Sequence, residues 1–240
     1  MGKREFIARN VAAMFHDGDV VNLGVGIPTL ASTYVPEGMT VLFHAENGCV
    51  GAGEAGGFPW DFSTRESVIA WMDSCAGEKG SWKTVHKDLC NASGEVITLI
   101  PGACCFDSTM AFAIARGGHL DATVLGALQV DEDCNLANWK IPGKKLMGGA
   151  MDIVSGAKKV IIAMEHCTKN GDAKIVEHCS LPLTAPGCVN TIVTELCIID
   201  CKPGCLTVTA IAPGVTPDEI RAKTGAHLRF AEQLETMLSE

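Results

Sequence analysis

The chain has 240 residues, 47% of them hydrophobic and 20% charged, which fits one large folded domain with a substantial core and excludes an intrinsically disordered chain. A formal charge of -9 excludes nucleic acid or an anionic membrane surface as an expected partner, because both recruit clustered Lys and Arg. No apolar run approaches the length of about 18 residues that a membrane-spanning helix needs.

In chain order, Phe6, Ile7, Val11, Met14 and Phe15 recur at helical spacing, and Asp17-Gly18-Asp19 ends that helix. A strand at 20–24 then runs into Gly24-Val25-Gly26-Ile27-Pro28-Thr29, where Pro28 suits the first turn of a second helix. Thr40-Val41-Leu42-Phe43 predicts a strand at 41–45 that delivers Ala45-Glu46-Asn47-Gly48, a carboxylate on a corner that glycine lets bend sharply. Gly51-Ala52-Gly53 reads as loop. Within 54–86, Ser63-Thr64-Arg65-Glu66 forms a capping box, Val68, Ile69, Trp71, Met72 and Cys75 supply an apolar stripe, and Gly77 closes an amphipathic helix.

Further on, a strand at 96–100 leads to Phe106-Asp107-Ser108, where Asp107 or Ser108 caps a helix over Ser108 to Arg116. Strands at 122–128 and 159–164 flank a short helix that starts at Gly149, and a helix is expected after Cys188. Pro203-Gly204 predicts a turn between two strands, with Cys201 and Cys205 as flanking strand residues. A helix at 218–223 and the 230–238 stretch are expected on the outside or at an interface. Such alternation predicts an α/β fold, a mostly parallel sheet with helices on both faces. Val160-Ile161-Ile162-Ala163-Met164 lacks alternation, as a strand buried on both sides should.

The N-terminus carries Lys3, Arg4, Glu5 and Arg9 and lacks an apolar export core, so the twelve cysteines are expected to be reduced, mostly buried thiols of a cytoplasmic protein. His166-Cys167 and His178-Cys179 invite a zinc site, but neighbours on an extended segment point to opposite faces, and no metal is expected. No Gly-x-Ser-x-Gly elbow marks a serine hydrolase, and Thr29 stands where a dinucleotide fingerprint needs its third glycine.

Glu46 on its corner is placed either to cap a turn or to act as a nucleophile. A carboxylate attacking a thioester exchanges one acyl bond for another and needs only a dry pocket and amide donors for the oxyanion. Gly148, Gly149 and Ala150, small residues opening a helix, suit that donor task, and Gly24 and Gly26 form a second close-approach loop. Asn47 and Gly48 complete the corner, with the Asn47 amide a further candidate donor. Glu165-His166 reads as an alternative acid/base pair or a structural one.

Five segments, taken in order, carry a resemblance: Gly24 to Thr29; Glu46-Asn47-Gly48; Pro101-Gly102-Ala103-Cys104-Cys105-Phe106-Asp107-Ser108; Gln129-Val130-Asp131 with Asn135-Leu136-Ala137-Asn138-Trp139; and Met147-Gly148-Gly149-Ala150-Met151-Asp152. Over about 6–223 the chain resembles the β subunit of family I CoA-transferases of the acetate, butyrate and acetoacetate type. It departs from that pattern in the extra segment at 54–86, between Gly51-Ala52-Gly53 and Asp88-Leu89-Cys90-Asn91-Ala92. That segment is expected to cover the active-site mouth, to meet a partner or to be a surface decoration.

The resemblance implies a NagB/RpiA/CoA-transferase-like fold and Glu46 as the residue that becomes a glutamyl-CoA thioester. It also implies coenzyme A as substrate with no cofactor, acyl-CoA and small carboxylic acids as ligands, and an α subunit partner in an α2β2 assembly. In that arrangement the active site lies between subunits and the partner holds much of the CoA. The alternative within this chemistry is a succinyl-CoA:3-oxoacid or 3-oxoadipate transferase, with Arg65 or Arg116 as dicarboxylate anchor. Outside it stand a thiol-rich metal-binding protein and a non-catalytic subunit.

Overall fold

The computed structural model describes residues 1–55, 89–92, 94–140 and 148–239. Its elements are α1 (Lys3–Ala12), β1 (Val20–Leu23), α2 (Ile27–Leu30) with a 3-10 turn (Ala31–Tyr34), β2 (Leu42–Ala45), β3 (Cys49–Ala55), β4 (Ile97–Cys105) and α3 (Ser108–Arg116). They continue as β5 (Ala122–Leu125), β6 (Gln129–Asp131), β7 (Leu136–Ala137), α4 (Ala150–Gly156), β8 (Val160–Ala163), β9 (Ile175–Val176), β10 (Thr191–Val193), β11 (Cys197–Lys202), β12 (Cys205–Ile211), α5 (Pro217–Ala222) and β13 (Leu228–Thr236).

One sheet has the order β13-β12-β11-β10-β8-β5-β1-β2-β3-β4, and a smaller one the order β7-β6-β9. In the large sheet β1, β2, β5, β8 and β10 pair in parallel, whereas β3 and β11 run against their neighbours. Alternate residues of β8 show why the central strands are apolar throughout. Ile161 and Ala163 join Ile7, Val11, Ala12 and Phe15 of the α1 side, while Val160 and Ile162 pack with Val154 of α4, Ile220 of α5, and Val130, Leu136 and Ile175 of the small sheet. Helices therefore cover both faces, as the alternation of elements predicts.

Several expectations are corrected. Gly51-Ala52-Gly53 is not loop but lies within β3, which pairs antiparallel with both β2 and β4 through irregular registers near Val50 and Ala52. The element directly after Cys188 is not a helix; Thr191–Val193 form β10 against β8. Val189, Ile192, Val193 and Leu196 imitate helical spacing because all four are buried, but the β-branched run pairs as a strand and the Asn190 side chain accepts from the Val160 amide at 2.7 Å. The 230–238 stretch lies on the outside as expected, largely as edge strand β13, parallel to β12. Buried Asn10 pins the end of the described chain: its amide group donates to the Leu238 carbonyl at 3.0 Å and accepts from the Leu238 amide at 2.9 Å.

The Pro203-Gly204 turn joins β11 to β12 as expected, with Lys202 opposite Cys205. Asp107 caps α3 by accepting from the Met110 amide at 2.9 Å. The helix expected over 63–77 and Arg65 lie outside the described residues.

Candidate active site

Going from β1 to β2 the chain steps to one side of the sheet, and it returns on the other side at β5. Open α/β sheets leave a crevice beside such a switch point at the carboxyl ends of the strands. Gly24 to Gly26 follow β1 there and Glu46 follows β2. Glu46 is half-buried on a tight hairpin turn between β2 and β3, closed by the Gly48 amide donating to the Ala45 carbonyl at 2.9 Å. Gly48 adopts φ of 130°, and a Cβ there would collide with the Phe106 carbonyl oxygen, so the turn accepts only glycine without shifting.

The Glu46 Oε2 accepts from Asn22 Nδ2 at 3.1 Å. Asn47 is exposed and its Nδ2 donates to the Cys90 carbonyl at 2.7 Å, which ties the 89–92 segment to the corner. Gly24 donates its amide to the Val124 carbonyl at 2.8 Å, and a Cβ on it would meet Leu125 Cδ2 at 3.0 Å, so the loop lies hard against β5. Gly26 has φ of 95° and starts α2, where the Thr29 hydroxyl accepts from its amide at 3.1 Å.

Gly148 is exposed, and Gly149 with Ala150 opens α4. Gly149 lies against the Phe112 ring of α3, and the preceding residue of α3, Ala111, offers its carbonyl to His44 Nε2 at 3.1 Å. The Gly148–Ala150 segment and β2, which delivers the Glu46 corner, thus lean on adjacent residues of α3. A cavity of about 50 Å³ is lined by Thr29, Ser32, Phe43, His44, Ala45 and Asn91 among others.

Other candidates have structural occupations. Both ring nitrogens of buried His166 are bonded to hydroxyls, Nδ1 to Thr194 at 3.0 Å and Nε2 to Thr224 at 2.9 Å. Burial pushes His166 down to about 4, with Lys223 and Lys174 acting in the same sense and Glu195 opposing. Arg116 pairs with Asp152 at 2.8 Å at the far end of α3 and stacks on Phe112, so it is not free to anchor a dicarboxylate. Asn138 spends its Nδ2 on the Gly126 carbonyl at 3.1 Å, and Trp139 Nε1 donates to the Leu183 carbonyl at 3.0 Å. Burial would raise the Asp131 carboxyl, but donation from the Cys179 amide and from Asn135 outweighs it and holds the group below the usual range.

Among the described residues, no group of three or more His, Cys, Asp or Glu is placed to share a metal ion, and no helix is long and apolar enough to cross a membrane. The expectation of mostly buried cysteines is corrected: among the described residues only Cys49, Cys134, Cys197 and Cys201 are buried, and Cys90, Cys104 and Cys105 are exposed. Burial raises the Cys49 thiol to about 11 and Cys197 to about 12, and partial burial raises Cys188 to about 11 and Cys179 to about 12.

Asn22, His44 and Thr123, which sequence reasoning passed over, form the polar ground behind Glu46. The signal for them was one polar residue in each of three otherwise apolar strands, Val20-Val21-Asn22-Leu23, Leu42-Phe43-His44-Ala45 and Ala122-Thr123-Val124-Leu125.

A family model described as coenzyme A transferase matches residues 81–223. The chain is 45% identical over 238 residues to the beta subunit of acetate CoA-transferase from Escherichia coli strain K12, a match that covers 98% of each chain. It is also 40% identical over 225 residues to one subunit of the succinyl-CoA:3-ketoacid coenzyme A transferase of Helicobacter pylori strain 26695, covering 93% of this chain and 97% of that one. The acyl-CoA transferase YdiF of Escherichia coli O157:H7 superposes with a TM-score of 0.70 at 20% identity; it covers 99% of this chain, which spans only 43% of that longer one. Glutaconate coenzyme A-transferase of Acidaminococcus fermentans gives 0.70 at 16% identity, covering 100% and 90%. At such identities the two solved structures speak for the fold alone.

Proposed function

This chain belongs to the coenzyme A transferase family, and from that premise we propose that it is the β subunit of a short-chain acyl-CoA:carboxylate CoA-transferase working through a glutamyl-CoA thioester on Glu46. The observation that carries the proposal is the seat of Glu46: a half-buried carboxylate on a glycine-closed turn at the switch-point crevice, with one oxygen held by Asn22. A turn-capping glutamate would bond its own turn's amides, whereas this side chain reaches across to β1.

The chemistry follows from that placement. A Glu46 oxygen bonds to the thioester carbonyl carbon, the C–S bond breaks, and CoA leaves as thiolate, with a mixed anhydride remaining. The thiolate then attacks the Glu46 acyl carbon and the first acid departs as carboxylate, which yields the glutamyl-CoA thioester. A second carboxylate runs the sequence in reverse. Bonds exchanged are equivalent in kind, so neither ATP nor an oxidant enters the balance. The oxyanion calls for amide donors, each worth about 2.7–4 kcal/mol in comparable sites. The Gly148–Ala150 segment is our candidate, supported by its lean against Phe112 of α3; the Gly24 and Gly26 amides are already engaged by the Val124 carbonyl and the Thr29 hydroxyl, so the expected donor role of that loop is corrected to close approach alone.

Acetate, butyrate and acetoacetate are the proposed acids, and an α subunit in an α2β2 cytoplasmic assembly the proposed partner, supported by the naming of the full-length relatives as subunits. Incubating the assembly with acyl-CoA and no acceptor acid tests the core of the reading. A hydroxylamine-sensitive CoA adduct on the peptide holding Glu46 is expected, and an adduct elsewhere overturns it.

Similarity to the succinyl-CoA:3-ketoacid enzymes supports a second reading, a dicarboxylate substrate. With Arg116 engaged by Asp152, the candidate anchor moves to Arg4, whose guanidinium lies against Gly26, 3.6 Å from where a Cβ would stand. Arg4→Gln lowers succinate use more than acetate use if this second reading holds, and lowers both equally if it does not.

A further inference from the structure

Behind Glu46, three polar side chains stand in one row across the sheet. Asn22 on β1 is in register with His44 on β2 and with Thr123 on β5. Their exposures are 0%, 2% and 0%, at places where strands buried on both faces normally carry apolar residues. Buried polar groups persist only when their hydrogen bonds are made, so each bond in the row constrains the next.

The constraint starts at α3. The Ala111 carbonyl can only accept, so His44 Nε2, 3.1 Å away, carries the ring proton. Burial favours that neutral ring by lowering the His44 pKa, against the raising influences of the Ala111 bond and the Glu46 charge. The other ring nitrogen, Nδ1, is then a bare lone pair 3.2 Å from Asn22 Nδ2.

Asn22 Nδ2 also lies 3.2 Å from the His44 carbonyl and 3.1 Å from Glu46 Oε2, while its Oδ1 accepts from the Thr123 hydroxyl at 3.2 Å. A hydroxyl both donates and accepts, so Thr123 does not decide which end of the amide faces Glu46. The three acceptors on the opposite side decide it. Nδ2 has two protons for these three acceptors, so one is shared; a proton on Nδ1 would turn its contact from attractive to repulsive and push Nδ2 out of the position that holds the carboxylate.

We propose that His44 is a positioning residue for the nucleophile: held in its Nε2–H form by the Ala111 carbonyl, it orients the Asn22 amide so that Nδ2 grips Glu46 Oε2 and leaves Oε1 to attack the thioester. His44 neither gives nor takes a proton in that step. It acts only through where Glu46 points. The proposal rests on Glu46 being the nucleophile, and the test separates the two.

The experiment measures single-turnover adduct formation, kcat and KM on the assembled enzyme with His44→Leu and His44→Gln. A misplacement of about 1 Å costs on the order of 100-fold, so His44→Leu should lower adduct formation and kcat by that factor while KM stays within about threefold. Gln can both donate to the Ala111 carbonyl and accept from Asn22, so His44→Gln should recover to within about tenfold of the wild type. Should His44→Leu fail to assemble, His44→Met replaces it in the same contrast. The proposal is overturned if the apolar variant forms adduct at the wild-type rate, or if the apolar and Gln variants are equally slow. A wild-type enzyme that forms no adduct at Glu46 overturns the glutamyl reading itself.

Discussion

Acidification should unload His166 in a measurable way. Its ring is fully buried, with Nδ1 facing the Thr194 hydroxyl and Nε2 the Thr224 hydroxyl. Thr224 gives its own proton to the Ile220 carbonyl at 2.7 Å, so it accepts from Nε2–H. Thr194 already accepts from the amides of Leu196 and Cys197, each at 3.1 Å, and its one proton is shared between Nδ1 at 3.0 Å and the Cys197 carbonyl at 3.2 Å. A second ring proton would therefore meet an oxygen whose lone pairs are taken, on a ring with no exposure to solvent. Burial, the first cause, lowers His166 from 6.5 to about 4, so the unfolded chain binds the proton more readily than the folded one.

Stability from this group is then fully present above pH 6.5 and is lost as pH falls through the window down to about 4. The complete loss is about 3.4 kcal/mol, of which about 2 kcal/mol is gone at pH 5. Urea unfolding of wild type and His166→Gln at pH 7 and pH 5 isolates it from other titrating groups. The stability advantage of the wild type over the variant should shrink by about 2 kcal/mol between the two conditions. A difference that does not change with pH would refute this account of the buried ring.

Three further outcomes follow from the geometry. Glu46→Ala should reduce turnover at least on the order of a thousandfold in steady-state assays, and Glu46→Asp should fail as well because one methylene less shortens the reach to the carbonyl. Gly48→Ala forces a side chain into the Phe106 carbonyl at φ of 130°, so denaturant unfolding should show a loss of about 1–3 kcal/mol, and kcat should fall with it. Asn10→Ala strands the Leu238 amide and carbonyl, and unfolding should show a cost of about 1–3 kcal/mol together with faster hydrogen exchange at Met237 and Leu238.

Much of the fold was legible because its signals are local. A capping Asp107, the Pro203-Gly204 turn and the apolar run of β8 each declare themselves within a few residues, and backbone sterics enforce them wherever they occur. Glu46 was legible for the same reason, a charged residue at the exit of an apolar strand with glycine just beyond it. The misreadings arose where a local pattern had two solutions. The spacing of Val189, Ile192, Val193 and Leu196 suits a helix face equally well, and only pairing with β8 chooses the strand. Gly51 and Gly53 look like loop until β2 and β4 close on either side of them.

By itself, then, the sequence determined an α/β chain, its helix caps and turns, and a carboxylate on a glycine corner. The tertiary structure alone decided what that carboxylate leans on. Asn22, His44 and Thr123 are far apart along the chain, and each is a single polar residue in an apolar strand. Parallel pairing of β1 with β2 and β5 sets them in one row, and the Ala111 carbonyl of α3 settles which ring nitrogen carries the proton. Register and helix docking are long-range contacts, set by burial of the whole sheet, and no window of neighbouring residues contains them.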